Sequence, residues 1–231
     1  MRGVLRWLGR TVSALLTALL LVGLGFYLHF LWAGPEPKPW HRVRAMAEFT
    51  AADYADGRVT TLAQYRARER QLLDQVRTEI TQQLTTADRL PHNRFNPGSR
   101  SDPGVWALNW NRTFVLQPAA EPIGGVLLLH GLTDSPYSLR SFARVLATQG
   151  YRVVGLRLPG HGFAPSGLLT FKAEDLEAAT RLARRDLRAS LGAGKPIQMI
   201  GYSNGAALAV SYALDATTDL TLPRPAGLVL I

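Results

Sequence analysis

Ser203 stands in the run Gly201-Tyr202-Ser203-Asn204-Gly205, with the apolar stretch Ile197–Ile200 before it and the small-residue stretch Gly205–Val210 after it. Glycine two residues to either side of a serine suits a strand-to-helix turn too sharp for a Cβ, which lifts the hydroxyl above the sheet edge. A serine hydroxyl is a weak nucleophile until a base takes its proton. Acyl transfer also needs N–H donors aimed at the negative oxygen of a tetrahedral intermediate. The Asn204 N–H, at the start of the helix, is placed to be one of them. The second should come from the loop after the earlier apolar run Gly125–Leu129, where His130-Gly131-Leu132 follows. Gly131 allows close backbone approach, and the Leu132 N–H is the candidate donor. The bland alternative for the serine run is an ordinary tight turn between a strand and a helix.

These loops need strands beneath them. Gly125–Leu129, Tyr151–Leu158 and Ile197–Ile200 are short, nearly continuous apolar runs, as expected of strands buried on both faces. Thr113–Leu116 reads as a further strand near an edge, and Gly227–Ile231 starts another. Helical patterns lie between them. One follows a Ser135 cap and Pro136, stops at Gly150, and should bury Leu139, Phe142, Val145 and Leu146. A second runs from about Ala173 to Ser190 and should bury Leu176, Ala179, Leu182 and Leu187. The alternation predicts an α/β fold, a mostly parallel sheet with helices on both faces. The turns after Leu129, Leu158 and Ile200 then all fall at carboxyl ends of strands, where function gathers in such sheets.

Further toward the N-terminus, Thr11–Trp32 is uncharged and strongly apolar. As a helix it would span about 33 Å, close to the thickness of a bilayer core. A cleaved signal peptide should have a shorter apolar run ending in small residues, so an uncleaved anchor with residues 11–32 in the bilayer is expected. Arg2, Arg6 and Arg10 flank one side closely, against Lys38, Arg42 and Arg44 on the other, which favours an N-terminus in the cytoplasm. The bulk of a single-pass protein would then face the periplasm or the outside of a bacterial inner membrane. From Thr61 to Ala87, Leu62, Tyr65, Leu72, Leu73, Val76, Ile80 and Leu84 recur at three- and four-residue intervals and predict an amphipathic helix. Its stripe should pack on the chain's own domain, a partner helix being the alternative. The Pro-, Gly- and Asn-rich run 91–104 reads as a loop. The expected division is therefore 1–34, a cytoplasmic stub and transmembrane anchor; 35–104, a proline-rich exit, amphipathic helix and loop; and 105–231, the α/β domain.

Composition removes several classes of function. Among the 231 residues there is no cysteine, which excludes thiolate catalysis, disulfides and cysteine-ligated zinc. The net charge of +9 rests on arginines interleaved with acids, without a basic run carrying regularly spaced aromatics, so no nucleic-acid partner is expected.

The ordered set LLLHGLTDSPYSLR, GLRLPGHG and IGYSNGAALAV resembles the α/β-hydrolase superfamily, nearest to bacterial carboxylesterases, monoacylglycerol lipases and lysophospholipases. The resemblance covers about residues 105–231. It implies Ser203 as nucleophile, Leu132 and Asn204 as oxyanion donors, and His130, Gly131, Gly201 and Gly205 as supporting positions, His130 and His161 shaping their loops. It implies a small-molecule ester as substrate, with no metal and no cofactor, since triad chemistry needs neither. The superfamily's triad runs Ser, then Asp or Glu, then His. Here no histidine follows Ser203, and the acids Asp215 and Asp219 come too early for the family's acid position. The sequence thus reads as the front half of a hydrolase domain. The expectation is a serine hydrolase cleaving lipid-like or small acyl esters through an acyl-enzyme on Ser203. A catalytically incomplete fragment or non-enzymatic interaction protein is the alternative, as are, among enzymes, a thioesterase or serine aminopeptidase.

Overall fold

The structure is a computed structural model that describes residues 2–34, 36–192 and 194–231. It forms two compact units, Met1–Lys38 and Pro39–Ile231. The first consists of α1 (Arg2–Ala33), a single continuous helix. Its stretch Arg6–Ala33, of hydropathy 2.1, is long and apolar enough to cross a membrane, and none of its apolar window is buried. A signal sequence would satisfy the same test of length and composition.

The second unit is built on five strands: β1 (Phe114–Leu116), β2 (Gly124–Leu129), β3 (Tyr151–Leu156), β4 (Ile197–Gly201) and β5 (Gly227–Leu230). Their order is β1-β3-β2-β4-β5. Only β1 is antiparallel to its neighbour, so the sheet is mostly parallel, as the alternating pattern predicts. Side chains of β2 alternate between two cores. Val126 and Leu128 pack with Leu139 and Ala143, while Leu127 and Leu129 pack with Leu176, Leu182 and Leu208. Helices therefore cover both faces: α5 (Arg140–Thr148) on one, α6 (Ala173–Leu191) and α7 (Asn204–Thr218) on the other.

In α5 the buried stripe differs from the expected one. Leu139 and Ala143 are buried, whereas Phe142 and Val145 are 51% and 55% exposed. The segment begins with a 3₁₀ turn over Pro136–Leu139. Three residues per turn instead of 3.6 rotates the phase of the stripe that follows.

Residues 39–104 belong to the same compact unit as the sheet. They contribute α2 (Pro39–Arg42), α3 (Ala51–Ala55) and α4 (Leu62–Gln82). The amphipathic helix is shorter than predicted. It is capped by Thr61 with Gln64 and stops at Gln83, and a 3₁₀ turn covers Thr86–Asp88. Acids on α6 hold both N-termini. Asp175 accepts from the Ala51 N–H at 2.7 Å and Asp186 from the Leu62 N–H at 2.9 Å. Such carboxylates satisfy N–H groups that a helix start leaves without intrahelical partners. Leu62 and Tyr65 enter the main core, and Leu72, Val76 and Ile80 pack with Phe163 and Ala164 from the loop after β3.

Candidate active site

The sheet register brings the three notable turns level. Leu129 pairs with Leu156 on one side and Gly201 on the other, so the loops starting at His130, Arg157 and Tyr202 leave the sheet side by side. At the third, Ser203 is exposed and has φ 52° and ψ −114°. Among the described residues only Thr133 (φ 64°) and Ser203 combine positive φ with a side chain, and both lie on these loops. A Cβ on Gly201 would overlap the backbone of Gly205 and Ala206, and one on Gly205 would overlap that of Leu129. The two glycines are thus required by backbone packed against backbone.

Ser203 is anchored from its main chain. The Tyr202 N–H donates to Leu129 O at 3.0 Å and the Ser203 N–H to Ile231 O at 2.7 Å. Its hydroxyl makes no hydrogen bond to a described residue. The N–H groups of Asn204 and Leu132 likewise meet no acceptor among the described residues. Gly131 closes in on the serine: a Cβ there would sit 3.0 Å from the Tyr202 ring and 3.5 Å from the Ser203 Cβ.

His130 is fully buried, and both its ring nitrogens are taken by backbone. Nδ1 lies 2.9 Å from Gly131 O and Nε2 accepts from the Leu158 N–H at 3.0 Å. The carbonyl can only accept, so the proton sits on Nδ1. Burial pushes the His130 pKa down to about 3, the neighbouring His161 and Arg157 adding to the effect, so the ring is neutral. His161, also buried, holds Pro159 O with Nδ1 at 2.7 Å, and its Nε2 has no protein partner. The two rings meet edge to face, with centroids 5.2 Å apart. They staple the loop after β2 to the loop after β3, and neither is hydrogen-bonded to the Ser203 hydroxyl. Asp215 and Asp219 lie at the far end of α7, Asp215 paired with Arg181 at 2.6 Å and Asp219 accepting from Thr221.

A second device fixes the loop after β3. Arg157, 1% exposed, donates to both carboxylate oxygens of Glu48, at 3.0 and 2.8 Å. Glu48 also accepts from the Gly160 N–H at 2.8 Å. Burial alone would raise the Glu48 carboxyl, but the Arg157 guanidinium and these hydrogen bonds hold it below its usual value. Glu69 approaches Arg157 Nε at 3.5 Å and accepts from the Thr113 N–H at 2.8 Å, and the Tyr65 hydroxyl donates to Arg157 O at 2.6 Å. Residues from α4 and from the segment before α3 thereby grip a site loop. Sequence reasoning missed this cluster. Its one legible signal was an arginine between Leu156 and Leu158 in a buried run, because a buried charge demands a partner. Nothing in the sequence pointed to Glu48 or Glu69 as that partner.

Beside the turns lies a cavity of about 580 Å³. Its wall includes Thr133, Asp134 and Ser135 of the loop after β2, and Gly160–Pro165 of the loop after β3. Trp40, Arg94 and Phe95 from the N-terminal part of the unit complete one side. The described residues hold no group of three or more His, Cys, Asp or Glu able to bind a metal.

Part of the chain resembles known proteins. The family model of the alpha/beta hydrolase fold matches residues 125–222, which span β2 to the end of α7 and carry all three turns. Over this segment the chain is similar to the α/β-hydrolase superfamily. It is 53% identical over 38 residues to the thermostable monoacylglycerol lipase of Bacillus sp. (strain H-257), covering 16% of this chain and 15% of that one. A solved structure of the metagenome-derived lipolytic enzymes LipS and LipT is 31% identical, with a TM-score of 0.46, covering 54% of this chain and 46% of that one. A thioesterase domain from the curacin biosynthetic pathway is 25% identical, with a TM-score of 0.41, covering 52% and 40%. The chain thus spans less than half the length of each of these three proteins.

Proposed function

We propose that Ser203 is the nucleophile of a serine hydrolase that cleaves carboxylic esters, lipid-like or small, through an acyl-enzyme. The observation that carries this reading is the strained, exposed serine whose hydroxyl is free, flanked by two N–H groups without acceptors. Strain of this kind persists only where surrounding structure enforces it, and it clusters at active sites. In the reaction the Ser203 Oγ attacks the ester carbonyl carbon while a base takes its proton. The N–H groups of Asn204 and Leu132 receive the negative oxygen, and the alcohol leaves as the acyl-enzyme forms. Water then releases the acid. Each oxyanion donor would contribute a factor of about 10² to 10³ in turnover.

His130 is committed to backbone at both nitrogens and His161 Nε2 is buried, so the reading assigns the base to neither. That same commitment favours the second reading, a non-catalytic binding protein on this fold. The monoacylglycerol lipase likeness supports acyl esters over thioesters or peptides, and α1 would anchor the enzyme in a membrane with its N-terminus in the cytoplasm. Turnover of 4-nitrophenyl butanoate by the natural gene product tests the proposal. Ser203→Ala should lower kcat by about 10³-fold or more with little change in KM. Equal turnover by the two proteins would refute it.

A further inference from the structure

Arg94 is a half-buried guanidinium on the cavity wall that makes no ion pair with a carboxylate among the described residues. It donates through Nη2 to Gly162 O at 3.1 Å and lies 5.6 Å from the Phe95 ring centre. Its other N–H groups meet no acceptor among the described residues. Asp102, in the adjoining loop, is taken by Arg77 at 2.9 Å and by the Gly98 N–H at 2.9 Å. Asp134 is the one acid on the cavity wall, and its carboxylate receives the Ser135 N–H at 2.7 Å. Burial lowers the Arg94 pKa, with no compensating contribution from a nearby acid.

The arginine is also held in place. Asn93 bonds Asp88 O at 2.7 Å and the Phe95 N–H at 3.1 Å, the Ser99 hydroxyl donates to Asn93 O at 2.7 Å, and Phe95 stacks on Trp40 at 5.2 Å. A fixed, partly desolvated guanidinium with spare donors facing a cavity is a preorganised receptor for an anion. Gly131, against Ser203, starts the loop that continues through Thr133 to Ser135 into the cavity wall. One short loop thus runs from the contact with the serine to the cavity wall.

We infer that this cavity receives part of the ester substrate and that Arg94 selects esters bearing an anionic group, a phosphate or a carboxylate. The inference rests on the serine-hydrolase reading for the word substrate, but its binding chemistry can be tested without turnover. The experiment is calorimetric titration of the full chain carrying Ser203→Ala, in neutral detergent, with three water-soluble butanoyl esters: of glycerol, of glycerol phosphate and of lactate. At least one anionic ester should bind about tenfold or more tightly than the glycerol ester, and the tighter of the two identifies the group. The preference should vanish in Arg94→Gln and persist in part in Arg94→Lys. Because Arg94→Gln could loosen the Gly162 loop, the Arg94 Nε–H resonance of the arginine-bearing chain supplies an independent reading, and it should shift on adding the preferred ester. Equal affinities for all three esters, or an unaltered preference in a folded Arg94→Gln chain, would overturn the inference. If the hydrolase reading alone fails, the anion preference survives while the Ser203-bearing chain turns over none of the three.

Discussion

A serine held at φ 52° and ψ −114° occupies a backbone region that side chains avoid, at a cost of about 1–3 kcal/mol. Gly201 and Gly205 leave the chain no room to relax it, and the bonds to Leu129 O and Ile231 O pin it from both sides. Replacing Ser203 by glycine removes the clash and adds about 1 kcal/mol of unfolded-state entropy against it. We expect Ser203→Gly to be more stable than Ser203→Ala by about 1 kcal/mol in urea unfolding, since alanine keeps the Cβ. An alanine variant equal to or more stable than the glycine variant would show that the turn stores no strain. At this scale the sequence was informative where spacing encodes geometry, as in Gly-x-Ser-x-Gly. It was silent at Thr133 and Arg94, because one threonine or arginine in a polar loop carries no periodic signal.

Among the elements, the strands and their order of appearance were legible because buried runs between turn residues leave a strong pattern. The phase of α5 was not, since a 3₁₀ turn at its start changes the period without changing composition. Nor was the grip of Glu48 and Glu69 on Arg157, which joins residues distant in sequence that only the fold brings together. His130 performs a similar joining between the loops after β2 and β3, and its titration makes that visible. Its folded pKa, about 3, lies below the ordinary 6.5. Between those values the unfolded chain binds a proton that the native chain does not, so stability rises with pH there. The contribution is complete above about pH 6.5 and is lost as pH falls toward 3; His161, also lowered, acts in the same direction. Thermal melts from pH 7 to 4 should fall more steeply for the unsubstituted chain than for His130→Asn. The variant should itself be less stable at pH 7, having weakened the bonds to Gly131 O and the Leu158 N–H. Parallel slopes would mean that His130 is not buried as a neutral ring.

Over the whole molecule, residues 39–104 are built into the same compact unit as the sheet rather than strung before it. That integration explains how a site on the sheet's carboxyl edge gains a wall made of Trp40, Arg94 and Phe95, outside the segment 125–222 that marks the superfamily. The central claim remains the nucleophilic serine. Its most direct test is labelling of the natural gene product with a fluorophosphonate probe, followed by mass-spectrometric location of the adduct. One phosphonylated residue is expected, Ser203, with no labelling of a folded Ser203→Ala chain. A folded, unlabelled protein, or an adduct carried by another residue, would contradict it.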